Sequence, residues 1–141
     1  MIKWIEIFNN FTAPIGFFLT IFTFKAAFDT RKKLEEVQEV NLLKQESDYY
    51  LGQMEAIRIL IDNIDINDRD FFIPENIIIK LYNLMSKFES NFPYLTRHNK
   101  LISKPLCKFK KIRNEKKIKY VDFVEIFYDL ESIFLNRKDL K

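Results

Sequence analysis

From Ile7 to Phe24 eighteen consecutive residues carry no charge. Such a run has to leave water, and three structures achieve that: a core helix of a water-soluble domain, a removable leader, or a helix that crosses a bilayer. A crossing helix needs roughly 20 mostly apolar residues, with a usable range of about 17–25. The run meets this length, with Asn9 and Asn10 as its polar interruptions. Trp4 lies near one end, where an amphipathic ring favours the membrane interface, and Lys25 lies at the other, with a stem long enough to reach the headgroups. Pro14 is tolerated in a membrane helix when neighbouring groups satisfy the carbonyl it frees. A leader fits less well. It requires a basic start and a small-residue cleavage site, whereas Lys3 is followed by Glu6 and the run continues into Arg31-Lys32-Lys33. Lys25, Arg31, Lys32 and Lys33 outnumber Lys3 and the amino terminus, so the positive-inside rule places the C-terminal bulk in the cytoplasm and the N-terminus outside.

On a helix turning about 100° per residue, Asn9, Thr12, Ala13, Thr20, Thr23 and Ala27 fall within roughly 40° on one side of Gly16 and 60° on the other. Every residue of 9–27 in that arc is polar or small, with Asn10 an exception outside it, and Phe11, Ile15, Phe18, Ile21 and Phe22 occupy the opposite half. Asn9, Thr12, Gly16, Thr20 and Thr23 are therefore the candidate residues of a helix contact or a pore. Small residues let helices approach closely in lipid, and several copies around a common axis would turn the same hydroxyls toward water. The third reading is a monomeric anchor whose threonine hydroxyls bond back to carbonyls of their own helix.

The remainder predicts an all-α fold, with one N-terminal transmembrane helix (1–28), a helical extension (29–48) and a small cytoplasmic helical domain (49–141), assembled as an oligomer. Leu34, Val37 and Val40 form a thin apolar seam in the extension, and Tyr50, Met54, Ile57, Ile61 and Ile64 continue at helical spacing. A helix opening at Pro74 buries Ile77, Leu81, Leu84 and Phe88, and Pro93 stops it. "YLTRHNKLIS" reads as a short helix ending before Pro105. The last helix presents Tyr120, Phe123, Val124, Phe127, Leu130 and Phe134 on one stripe. "DINDRDFF" reads as a solvated connector, because Arg69 stands where a calcium loop needs a ligand and the turn glycine is missing.

Two glycines in the chain leave little material for phosphate-cradling loops, and no nucleotide-binding or nucleophile-elbow pattern occurs. One histidine, His98, and one cysteine, Cys107, do not make a zinc set. No metal, cofactor or catalytic residue is expected, and the chain reads as a non-enzyme. Charge is unevenly spread: Lys104, Lys108, Lys110, Lys111, Arg113, Lys116, Lys117 and Lys119 stand against Glu115 alone, in a chain whose formal net charge is +3. Such a cluster attracts phosphates by counterion release or lies on anionic headgroups, and Phe109 and Tyr120 offer stacking faces. It reads as a polyanion-binding segment for a nucleotide, a nucleic acid or lipid, or else as a solvated charged face.

One uncharged N-terminal helix, then "KAAFDTRKKLEE", then a small helical domain resembles the layout of short membrane-anchored effectors of bacterial anti-phage systems, including the accessory membrane proteins of RNA-targeting CRISPR loci. The resemblance implies a homo-oligomer in the inner membrane that depolarises the infected cell, with a partner protein from the same operon. Some members carry an Arg-x4–6-His motif; here Asn91, Phe92 and Pro93 occupy the arginine positions before His98, so RNA cleavage is not implied. The alternative is a membrane-tethered adaptor that binds a protein or nucleic acid without forming a pore.

Overall fold

A computed structural model of the chain describes residues 2–64, 71–115 and 117–136, with side chains from Pro14 onward. The fold is all-α. Among the described residues the helices are α1 (Ile2–Asp62), α2 (Glu75–Asn91), α3 (Pro93–His98), α4 (Lys100–Arg113) and α5 (Tyr120–Leu135). No strand is formed among them, only an isolated antiparallel bridge between Phe72 and Lys119. In it Ile73 N–H donates to Ile118 C=O at 3.0 Å and Tyr120 N–H to Phe71 C=O at 2.9 Å. The connector predicted at 65–70 lies outside the described residues.

The chain divides into two units, Met1–Val37 and Gln38–Lys141. The first is a single stretch of α1, helical through Pro14. Its described large apolar side chains are uncovered: Phe18 is 61%, Phe22 69% and Phe24 74% exposed, and Ile15, Phe17, Leu19, Ile21 and Phe28 are exposed with them. Phe18 and Phe22 thus do not pack into a core of the chain's own. Among the described residues no helix is long and apolar enough to cross a membrane. The predicted run begins at Ile7, and the side chains of 2–13 lie outside the description; from Pro14 only eleven uncharged residues precede Lys25.

The second unit is built on the C-terminal half of α1. Val40, Leu43, Ser47, Tyr50, Met54, Ile57 and Ile61 alternate spacings of three and four and are all buried, which makes one continuous seam on a helix of about 3.6 residues per turn. The seam begins at Val40. Leu34 and Val37, which the sequence pattern joined to it, are exposed, because stepping back from Val40 at the same spacing meets Glu36 and Lys33 rather than apolar residues. On α2 the predicted Ile77, Leu81, Leu84 and Phe88 are buried, with Met85 beside them. On α5 the buried face is Phe123, Ile126, Phe127, Leu130, Ile133 and Phe134, while Tyr120 and Val124 are half-buried at its margin.

Rings organise the middle of this core. Tyr50 stacks on Phe134 with centroids 5.1 Å apart, and meets Phe88 edge-on at 5.3 Å and Phe92 at 6.1 Å. Such pairs add about 0.5–1.5 kcal/mol each beyond the area they bury. The Tyr50 hydroxyl accepts from Asn91 Nδ2 at 3.2 Å. The buried carboxylate of Glu131 accepts from Arg58 Nη1 at 3.5 Å, and Arg58 also pairs with Glu55.

The turn between α2 and α4 departs from expectation. Pro93 stops α2 but also occupies the first turn of α3, where a missing N–H costs nothing. Glu39 caps α3 from α1: its carboxylate accepts from Tyr94 N–H at 2.9 Å and Leu95 N–H at 2.8 Å. Asn99 then caps α4, accepting from Leu101 N–H at 2.9 Å. Pro105 lies inside α4 rather than ending a helix before it, since Ile102, Leu106 and Phe109 are buried across it and hold the helix through the lost hydrogen bond. Cys107, also on α4, is a free and exposed thiol.

Candidate functional site

The polar stripe belongs to the first unit. Asn9 and Thr12 lie outside the described side chains. Gly16, Thr20 and Thr23 are exposed on α1. A Cβ added at Gly16 would meet nothing within 4 Å, so nothing in the chain itself requires glycine there. Thr20 Oγ1 donates to Gly16 C=O and Thr23 Oγ1 to Leu19 C=O, both at 2.8 Å, and Thr30 repeats the arrangement with Ala26. Each hydroxyl thus satisfies its own donor one turn back along the helix, leaving acceptor lone pairs outward.

The basic segment folds into the C-terminal half of α4 and the turn that leads to α5. Its described cations are exposed, and Lys108 and Lys110 have acidic partners on neighbouring helices. Lys108 Nζ lies 2.8 Å from Asp129 and 3.9 Å from Glu125 on α5; the Asp129 hydrogen bond first, and then its charge, hold the Lys108 ammonium above its ordinary pKa. Lys110 Nζ lies 2.6 Å from Glu89 on α2. Pairs this exposed add little to stability, so their main effect is to offset the positive field. Lys104 and Lys111 make no ion pair among the described residues. Phe109 is buried, which removes it as a stacking face. Lys116 lies outside the described residues.

Arg113 and Lys117 meet rings that local sequence did not connect with them. The Arg113 guanidinium lies 3.9 Å from the centroid of Tyr82, and Lys117 Nζ lies 5.3 Å from that of Phe72. A hydrogen bond with Ser86, then the Arg113 charge, lower the Tyr82 phenol below its ordinary pKa. These four side chains line an open cleft of about 510 Å³ walled by Ile78, Ile79 and Ile118. Glu75 and Glu115 line the same cleft, so its charge is balanced. It suits a zwitterionic or aromatic ligand better than a polyanion. Tyr82 and Phe72 were invisible as partners because they lie 31 and 45 residues upstream of their cations. Only the tertiary pairing of α2 with α4, and the Phe72–Lys119 bridge, brings them in.

Among the described residues no set of three or more His, Cys, Asp or Glu could hold a metal ion. His98 Nδ1 lies 3.0 Å from Tyr94 C=O, and its ring stacks on Tyr94 at 4.4 Å, an arrangement that closes off the end of α3. The chain matches no family model, no curated protein and no solved structure.

Proposed function

We propose that the chain is a membrane-anchored, self-associating helical protein. In this reading residues 7–24 lie in the bilayer with the N-terminus outside, and the second unit is held at the cytoplasmic face of the inner membrane. The observation that carries it is the exposure of Phe17, Phe18, Leu19, Ile21, Phe22 and Phe24 on one helix, where no other described residue covers them. A helix whose broad face of large apolar side chains is uncovered finds its burial in lipid or in other chains. The described part alone is too short for a span, so the proposal requires residues 7–13 to extend it.

Self-association has its own support. From Gly16 through Thr20, Thr23, Ala27 and Thr30 to Leu34 and Val37 the spacing alternates four and three, and every one of these residues is exposed. That is the spacing of a two-helix seam, small where lipid would surround it and apolar where water would. Asn9 and Thr12 extend the same face. Read with the resemblance to anti-phage effectors, the assembly permeabilises the membrane when a ligand or partner reaches the second unit. The adaptor reading is favoured by one observation: Thr20 and Thr23 spend their hydroxyl protons on their own helix, which weakens them as a pore lining.

The test is the full chain and its Thr20→Lys variant in lipid vesicles. The native chain sediments with the vesicles, elutes larger than a monomer in detergent and releases an entrapped dye, and Thr20→Lys changes that release. Sedimentation without dye release selects the adaptor. A chain that stays in the supernatant as a monomer ends the membrane reading.

A further inference from the structure

A second cleft, of about 350 Å³, opens between the C-terminal half of α1 and α2. Its rim is polar: Tyr49 and Gln53 from α1, and Lys80, Asn83 and Lys87 from α2. Its floor is apolar, with Ala56, Leu60 and Leu84 among the residues that form it. No carboxylate of the described residues lines it, in contrast to the basic segment, where Lys108 and Lys110 are paired with acids.

The cations of this cleft are placed without being neutralised. Lys87 Nζ donates to the Tyr49 hydroxyl at 3.0 Å and lies 4.4 Å from the centre of the Tyr49 ring, so an uncharged group fixes where the ammonium sits. The carboxylate whose charge reaches Lys87 is that of Glu46, and Glu46 is not part of the lining. Lys80 makes no ion pair among the described residues. It stands two turns before Lys87, about 10 Å along the helix axis, and its flexible four-carbon stem lets the two ammoniums converge over Asn83. The Asn83 and Gln53 carboxamides also have no hydrogen-bond partner among the described residues, and their N–H groups are further donors to an anion.

We propose that this cleft binds a phosphate monoester, with the phosphate held by Lys80, Lys87 and Asn83 and the organic body resting on Ala56, Leu60 and Leu84. Charge-assisted hydrogen bonds to an oxyanion are about twice as strong as neutral ones, which singles out the anionic end as the anchor. A volume of about 350 Å³ is at the small end of the roughly 300–1,000 Å³ range of ligand pockets, enough for one ring or a short chain beyond the phosphate. The same headgroup chemistry is offered by a free metabolite and by phosphatidic acid. This inference concerns the second unit alone and stands whether or not residues 7–24 enter a bilayer.

The test follows the side-chain amide resonances of Asn83 and Gln53 in the full chain, held in a zwitterionic detergent. Phenyl phosphate is titrated at constant ionic strength. Saturable shifts at both amides are expected, with affinity weakened at least tenfold in Lys80→Gln/Lys87→Gln and left unchanged in Lys100→Gln, an exposed lysine outside both clefts. Asn83→Asp, which places a negative charge at the rim, gives a second loss of binding on an exposed residue where folding is not at stake. A parallel series in nanodiscs separates the sources: phosphatidic acid that shifts the same amides and blocks phenyl phosphate marks a lipid ligand, and shifts by phenyl phosphate alone mark a free one. Shifts that fail to saturate, or that persist unchanged in the double lysine variant, overturn the proposal.

Discussion

Glu39 is the side chain through which α1 fixes the start of α3. It takes two of the backbone N–H groups that the first turn of any helix leaves unbonded, and it does so from 55 and 56 residues away. Replacing a capping oxygen with a methyl typically costs about 0.5–2 kcal/mol. Glu39→Ala is expected to lose about 1–2 kcal/mol in urea unfolding, toward the upper end because two donors are orphaned. Glu39→Gln, which keeps one acceptor, loses less. Tyr50 supplies a pH dependence. Burial first of all raises its phenol above the ordinary value of 10.0, against a lowering hydrogen bond from Asn91. A raised folded-state pKa means that the neutral phenol is the form the fold prefers. Its contribution is intact below pH 10.0 and is lost as pH rises through the higher folded value. Equilibrium unfolding between neutral and strongly alkaline pH is expected to show a steeper fall above that point in the native chain than in Tyr50→Phe.

The helices differ in how plainly their sequences declared them. On α2, Ile77, Leu81, Leu84 and Phe88 repeat cleanly between Pro74 and Pro93, and all are buried. On α5 the same holds for Phe123, Phe127, Leu130 and Phe134. α1 was legible as helix but not as a helix with two fates. Leu34, Val37 and Val40 look like one seam by spacing, yet only Val40 meets the core; only the longer alternation running on from Val40, which Glu36 and Lys33 interrupt on the other side, separates it from the other two. The cap by Glu39 and the rings over Arg113 and Lys117 were equally hidden, because each joins residues dozens of positions apart. Pro105 misleads for the opposite reason: a local rule that proline breaks helices loses to three buried neighbours. Its ring sits past the first turn of α4, where it displaces the bond to the Leu101 carbonyl. Pro105→Ala is therefore expected to raise stability by about 1 kcal/mol or more in the same unfolding assay, and an unchanged or lowered midpoint would refute that account.

At the scale of the whole chain, the two units bury their apolar residues in different ways. The second builds a core of its own, whereas the described phenylalanines of the first are exposed. Because Phe18 and Phe22 are exposed, Phe18→Asp/Phe22→Asp is expected to leave the thermal unfolding of the second unit within about 0.5 kcal/mol of native, as exposed substitutions usually do. The same variant shifts the chain from the vesicle pellet to the supernatant. Loss of folding instead would mean that those rings support the core after all. Cys107 bears on how copies are arranged. It is the sole cysteine of the chain, it is exposed, and it rides on α4. A nitroxide or dye attached there needs no prior removal of other thiols. Dipolar ruler measurements between labels on neighbouring chains would then report subunit spacing directly, from native sequence carrying a single added tag.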